Sequence, residues 1–263
     1  MYAFELHKAE SLAKAAALLA QTGGKALAGG QSLVAAMKLR LAVPGALVDL
    51  SAVPELKGIR KEGDAVVIGA MTRHAEVAAS DVVKAAIPAL SALAEGIGDR
   101  QVRNMGTLGG SLANNDPAAD YPAAALGLGA TINTNKRKIG ADEFFKGMYE
   151  TALADGEIIT SVSFPVPKKA AYAKFPQPAS RFALVGVFVA QTAAGVRVAV
   201  TGAASAVHRS QAMEQALAKS FTADAAKAVK IEAKGLNSDL HGSAAYRAHL
   251  VSVLAARAVA ASG

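Results

Sequence analysis

Leu27-Ala28-Gly29-Gly30-Gln31-Ser32-Leu33-Val34 is the stretch on which the fold turns. A short apolar run over residues 25–28 reads as a buried strand, and two adjacent glycines and a hydroxyl side chain follow it. Glycine reaches φ > 0 without a Cβ clash, so consecutive backbone N–H groups can face one concavity and cradle an anion. Beyond the glycines, Leu33, Ala36, Met37 and Leu41 fall on one helical face, and Pro44-Gly45 is expected to end that helix. Upstream, residues 9–20 read as an amphipathic helix; downstream, residues 46–50 and 65–70 read as strands. The first 70 residues thus alternate strand and helix around a phosphate-type turn.

Thr107-Leu108-Gly109-Gly110-Ser111 repeats the pairing of two glycines with a hydroxyl. Hydrogen bonds to a charged group contribute roughly 1.5–3 kcal/mol each. Two such cradles, remote in sequence, suit a ligand with two adjacent phosphates, and a dinucleotide is the obvious candidate. Residues 97–115 around the second pair show no clear period and are expected to form an irregular functional loop. Thr72 is expected to cap a short helix to Ala79, and Ser80 and Asp81 to open another that Pro88 breaks. Pro117 and Pro122 suit first-turn helix positions, Asp116 suits a cap, and an apolar helix should continue to Leu128.

Pro165-Val166-Pro167-Lys168-Lys169 marks a change of character. Residues 182–190 and 196–201 read as strands of a hairpin about Thr192–Gly195, and helical patterns follow at about 209–219, 223–234 and 243–261. A domain boundary is expected near residue 166, and 263 residues accommodate one or two domains at roughly 100–200 residues each.

With 52% hydrophobic residues, the chain can bury a large core. It has no cysteine, which excludes disulfides, thiol nucleophiles, zinc ribbons and cysteine-held iron–sulfur clusters within it. The net charge of +7 is spread, apart from Lys136-Arg137-Lys138 in an expected solvated turn. No stacking aromatics are interleaved, so nucleic acid is not an expected partner. No secretory signal opens the chain and no apolar run reaches about 18 residues, so a cytoplasmic protein without a membrane span is expected. No G-x-G-x-x-G follows a strand, and no P-loop or metalloprotease pattern occurs. His7, His74, His208, His241 and His249 are too dispersed for metal ligation and are expected to be structural. Tyr172 is expected in the core, and Arg100 and Arg103 could meet phosphate, a partner or only solvent.

Residues 28–33 and 101–112 together resemble the two FAD-binding signatures of molybdenum hydroxylase flavoprotein subunits. This is the medium-subunit type of carbon monoxide dehydrogenase and xanthine dehydrogenase-like enzymes. Asp116-Pro117-Ala118-Ala119-Asp120, Gly156-Glu157-Ile158-Ile159, Tyr172-Ala173-Lys174-Phe175, residues 181–187 and residues 239–247 follow in the family's order, so the resemblance runs nearly end to end. It implies an α+β chain: a vanillyl-alcohol-oxidase-type FAD-binding domain over 1–166, made of two α/β subdomains (about 1–57 and 58–166), then a C-terminal domain of antiparallel sheet plus helices over 167–263.

The resemblance also implies the site. Leu27, Ala28, Gly29, Gly30, Gln31, Ser32, Leu33 and Val34, with Thr107, Leu108, Gly109, Gly110 and Ser111, would surround the pyrophosphate and ribityl chain. Ile97 would lie near flavin or adenine, Asp120 would accept hydrogen bonds from the cofactor, Ile159 would pack on it, and Lys174 would place a positive charge near the flavin. In such assemblies this subunit carries no catalytic or metal-ligating residue of its own. A large molybdopterin subunit oxidises the substrate, and a small subunit with two [2Fe–2S] clusters relays electrons to the FAD; a dimer of heterotrimers is expected. Two other readings compete: a stand-alone FAD-dependent oxidase with its own substrate pocket, and a cofactor-free scaffold that keeps the fold.

Overall fold

The computed structural model of the chain describes residues 1–262. It opens with a small parallel sheet in which Ala46–Asp49 lies between Glu5–Lys8 and Lys25–Leu27. The connecting helix Leu12–Thr22 is capped at one end by the Ser11 hydroxyl and stopped at the other by Gly23 at φ +59°. Its Ala15, Leu18 and Leu19, spaced for one face, bury against Val48 and Leu50. The helix after the first glycine pair is shorter than expected, Leu33–Lys38, because Arg40 turns the chain into the left-handed region at φ 61° before Pro44 is reached.

A second sheet has five strands in the order Ile59–Glu62, Ala65–Gly69, Ile159–Pro165, Thr131–Thr134, Lys138–Gly140. Every pair in it is antiparallel, so this unit is α+β and not the second α/β unit expected. A long helical excursion returns the chain into the middle of the sheet, where Ile159–Pro165 closes it. Helices over Pro88–Glu95, Leu108–Asn114 and Tyr121–Leu128 cover the sheet, and Leu90, Leu93, Leu108, Leu112, Tyr121 and Phe164 fill the core between.

Residues 97–115 are not irregular. They form two short helices, Arg100–Met105 and Leu108–Asn114, each started by a side chain that accepts a backbone N–H: Asp99 from Val102 and Thr107 from Gly110. Six or seven residues give too little length for a period to emerge. Other expectations shift locally. Thr72 is no cap; its hydroxyl donates to Gly58 O, and Arg73 precedes the helix His74–Ala79. Asp116 and Pro117 form a turn in which Ala118 N–H donates to the Asp116 carboxylate, not a helix start. Pro88 and Pro122 do open helices.

The remaining strands form a four-stranded antiparallel sheet: Lys169–Pro176, Ala183–Thr192, Gly195–Thr201 and His208–Arg209. The run from Ala183 is apolar on both faces because both are covered. Val185, Val187 and Val189 pack with Leu250, Val251 and Leu254 of the C-terminal helix Ala244–Ala261. Phe188 and Ala190 join the core of the five-stranded unit. Gly127 allows this, since a Cβ there would lie 2.8 Å from the Phe188 ring. Helices Gln211–Lys219 and Ala223–Ala228 complete this part; the second ends six residues before the expected 234. No helix is long and apolar enough to cross a membrane among the described residues.

Candidate functional site

The two glycine segments meet. A Cβ on Gly29 would run into Met105 O and come within 2.7 Å of Gly106 Cα. A Cβ on Gly110 would lie 3.4 Å from that of Ala28. Only backbone without side chains can pass this closely.

The segments do different work. Gly30 takes φ +70°, and the backbone N–H groups of residues 29–33 make no hydrogen bond to the chain among the described residues. That is the free row of donors expected of an anion cradle. The second segment lacks one. Leu108 N–H donates to Thr72 O, Gly109 N–H to Ala70 O and Gly110 N–H to the Thr107 hydroxyl. Gly109 and Gly110 lie inside a helix with φ < 0, so the second cradle inferred from sequence is corrected to a packing surface. Gly109 is small because a Cβ would lie 2.5 Å from that of Ala70.

Both segments line a cleft of about 1090 Å³, above the roughly 300–1,000 Å³ of drug-sized ligand sites. Its walls include Leu27, Ala28, Gly29, Gly30, Gln31, Ser32 and Leu33 on one side and Thr107, Gly109, Gly110 and Ser111 on the other. Ile97, Asp120 and Ile159 line it too. Three expected residues do not. Val34 is the second residue of its helix, with its side chain under Gly30. Leu108 is fully buried in the core, because the helical twist points it away from the cleft.

Lys174 lies behind Asp120. Its ammonium donates to Asp120 at 3.0 and 3.2 Å, to Gly96 O at 2.8 Å and to Arg181 O at 2.9 Å. All three protons are committed, and the charge of Lys174 is paired with Asp120. Tyr172, two residues earlier on the same strand face, donates its hydroxyl to Asp120 at 2.6 Å. Burial pushes the Asp120 carboxyl above the usual carboxylate range, opposed by Lys174 and Tyr172. Tyr172 is thus more than core packing.

Two cleft residues were not singled out from sequence as lining the site, Tyr149 and His74, the latter read there as structural. Tyr149 sits at φ 57° in a tight turn, largely exposed, with its hydroxyl donating to Asp116 at 3.3 Å. His74 is 5% exposed, and its Nδ1 has no hydrogen-bond partner. Burial and then Arg103 push its pKa down to about 4. Neither follows from spacing; both appear only once distant segments are brought together.

The bare backbone at Gly29, the free N–H row and the length of the cleft suit an extended anionic ligand of dinucleotide size. Residues 2–167 match the family model described as the FAD binding domain in molybdopterin dehydrogenase. The chain is 38% identical over 222 residues to the carbon monoxide dehydrogenase medium chain of Hydrogenophaga pseudoflava, covering 79% of this chain and 77% of that one. It is 38% identical over 194 residues to the glyceraldehyde dehydrogenase medium chain of Sulfolobus acidocaldarius, covering 71% and 69%. Among solved structures it superposes on carbon monoxide dehydrogenase from Hydrogenophaga pseudoflava lacking the Mo-pyranopterin moiety, with a TM-score of 0.90 at 37% identity over 99% of this chain and 97% of that one.

Proposed function

Because the chain belongs to the family of FAD-binding domains in molybdopterin dehydrogenases, we propose that it is the electron-transferring medium subunit of a molybdenum hydroxylase-type dehydrogenase. FAD is its cofactor. Its partners are a large molybdopterin subunit and a small subunit carrying two [2Fe–2S] clusters, assembled as a dimer of heterotrimers in the cytoplasm. The fold in this reading is of the vanillyl-alcohol-oxidase type, with FAD bound by residues 1–166 (subdomains about 1–57 and 58–166) and residues 167–263 forming the C-terminal flavoprotein domain. The relatives belong to enzymes named for carbon monoxide and for glyceraldehyde, and in this reading the substrate binds the large partner subunit.

The observation that carries this reading is the row of unengaged N–H groups over residues 29–33, facing a cleft closed by the second glycine segment. These donors hold the diphosphate, with Ser32 and Ser111 adding hydroxyls. Leu27, Ala28, Gln31, Leu33, Ile97, Thr107 and Ile159 shape the walls, and Asp120 accepts from the cofactor's sugar or base. Lys174 acts through Asp120. When bound, FAD supplies redox chemistry that connects one-electron donors to an external acceptor.

Purified chain should be yellow, with FAD recovered on denaturation. A chain that stays colourless after incubation with FAD overturns the reading. A stand-alone oxidase would turn over small alcohols or amines by itself; this chain should not.

A further inference from the structure

We propose that His74 is a cofactor-contacting residue, its imidazole Nε2 donating a hydrogen bond to an oxygen of bound FAD where the two glycine segments meet. The inference rests on the cleft being the FAD site.

The ring is nearly buried yet forms part of the cleft wall. Its Nδ1 is sealed without a partner, and so is the hydroxyl of Tyr121, whose ring stands 5.2 Å away. Nε2 also bonds to nothing in the chain among the described residues, but it is not sealed, so it is the ring's one polar atom open to the cleft. Gly106 leaves it open: a Cβ there would lie 2.5 Å from Nε2. That same Gly106 is what Gly29 packs against, so the nitrogen lies under the contact of the two segments. Its position is fixed, since His74 N–H donates to Gly106 O at 3.0 Å.

Buried polar groups without partners are few in native proteins and call for a ligand, water or ion. The neutral ring carries one N–H and one lone pair. Placing the proton on Nε2 leaves Nδ1 as a lone pair, the less costly orphan. The cleft then meets a donor, which suits the oxygen-rich surface of a dinucleotide.

The test is titration of the flavin-free full chain with FAD, followed by flavin fluorescence, for wild type, His74→Phe and His74→Gln. His74→Phe should bind at least tenfold more weakly, about 1.4 kcal/mol, while the apo protein unfolds at an unchanged temperature. His74→Gln, which keeps a donor, should recover most of the affinity. Equal affinity of His74→Phe and wild type overturns this inference alone, whereas a wild type that binds no FAD overturns the reading beneath it as well. Equal losses of affinity and apo stability in both variants mark a packing role and overturn it too. If His74→Phe does not fold, imidazole ¹⁵N spectra of the wild type decide: the His74 Nε2 resonance should move on FAD addition, and an unmoved resonance overturns the proposal.

Discussion

The Lys174 ammonium and the Asp120 carboxylate stand 3.0 Å apart, both nearly buried, and Lys174 also ties down the carbonyls of Gly96 and Arg181. One cation thereby fixes three separate segments of the cleft wall. Removing it strands a buried charge, so Lys174→Met should lower stability by about 3–5 kcal/mol. Adding Asp120→Asn removes that stranded charge, and the double variant should be more stable than Lys174→Met alone. Urea unfolding of the four-member cycle checks the coupling. A strictly additive cycle contradicts the clamp.

The three glycines Gly29, Gly30 and Gly109 should fail differently. Gly29→Ala sets a Cβ against backbone that cannot yield, at the junction of the two segments, and FAD binding should be lost. Gly30→Ala bears left-handed strain, about 1–2 kcal/mol, and a 3.1 Å approach to the Val34 side chain, and should bind FAD with reduced affinity. Gly109→Ala presses on Ala70, away from the free donors, so it should lower the unfolding temperature more than the FAD affinity of the protein that remains folded. Fluorescence titration beside thermal unfolding separates the three.

What the sequence made legible was whatever repeats within one element. The Ala183–Thr192 strand is long enough to stand out as an unbroken apolar run, and the Ala244–Ala261 helix is long enough for its period to emerge. The helices at Arg100–Met105 and Leu108–Asn114 are not, and their glycines and asparagines read as loop. At the site, glycine pairing found the right segments but not their division of labour. In the second segment the N–H groups of Leu108 and Gly109 are satisfied by Thr72 O and Ala70 O, carbonyls that no local pattern links to residues 108–109. Lys174 was assigned by its place in a family order, while its charge is paired with Asp120, 54 residues back in the chain, and its other protons go to Gly96 O and Arg181 O. Glu157 and Arg137 make the same point, since a triplet expected to be solvated carries a cation tied to a carboxylate 20 residues on.

Gly127 is a close approach between the helix Tyr121–Leu128 and the strand bearing Phe188. Gly127→Ala should cost about 1–3 kcal/mol by overpacking, although alanine favours helix in isolation. Phe188→Leu in the same chain should return part of that loss. Denaturant midpoints of the single and double variants measure it, and a stabilising Gly127→Ala would show that the contact is not tight.

Acid should loosen one wall of the cleft through Glu157. Its carboxylate accepts from Arg137 at 3.1 Å through two nitrogens, from Thr134 at 2.7 Å and from Ala154 N–H at 2.8 Å. Arg137 leads these in holding the carboxyl down, from the ordinary 4.5 to about 2. A depressed carboxyl stabilises the fold above its unfolded pKa, and that contribution is lost as pH falls through the folded value. The window is therefore about pH 4.5 to 2, and the loss is on the order of 2 kcal/mol, allowing for solvent around the half-exposed Arg137. Asp142, held low by Arg197 and Arg209, and Asp239, held low first by the His241 backbone N–H and then by Arg247, add their own slopes. Glu157→Gln should therefore flatten the acid limb of stability against pH without abolishing it. An unchanged limb would mean that the Arg137 pair contributes nothing to folding.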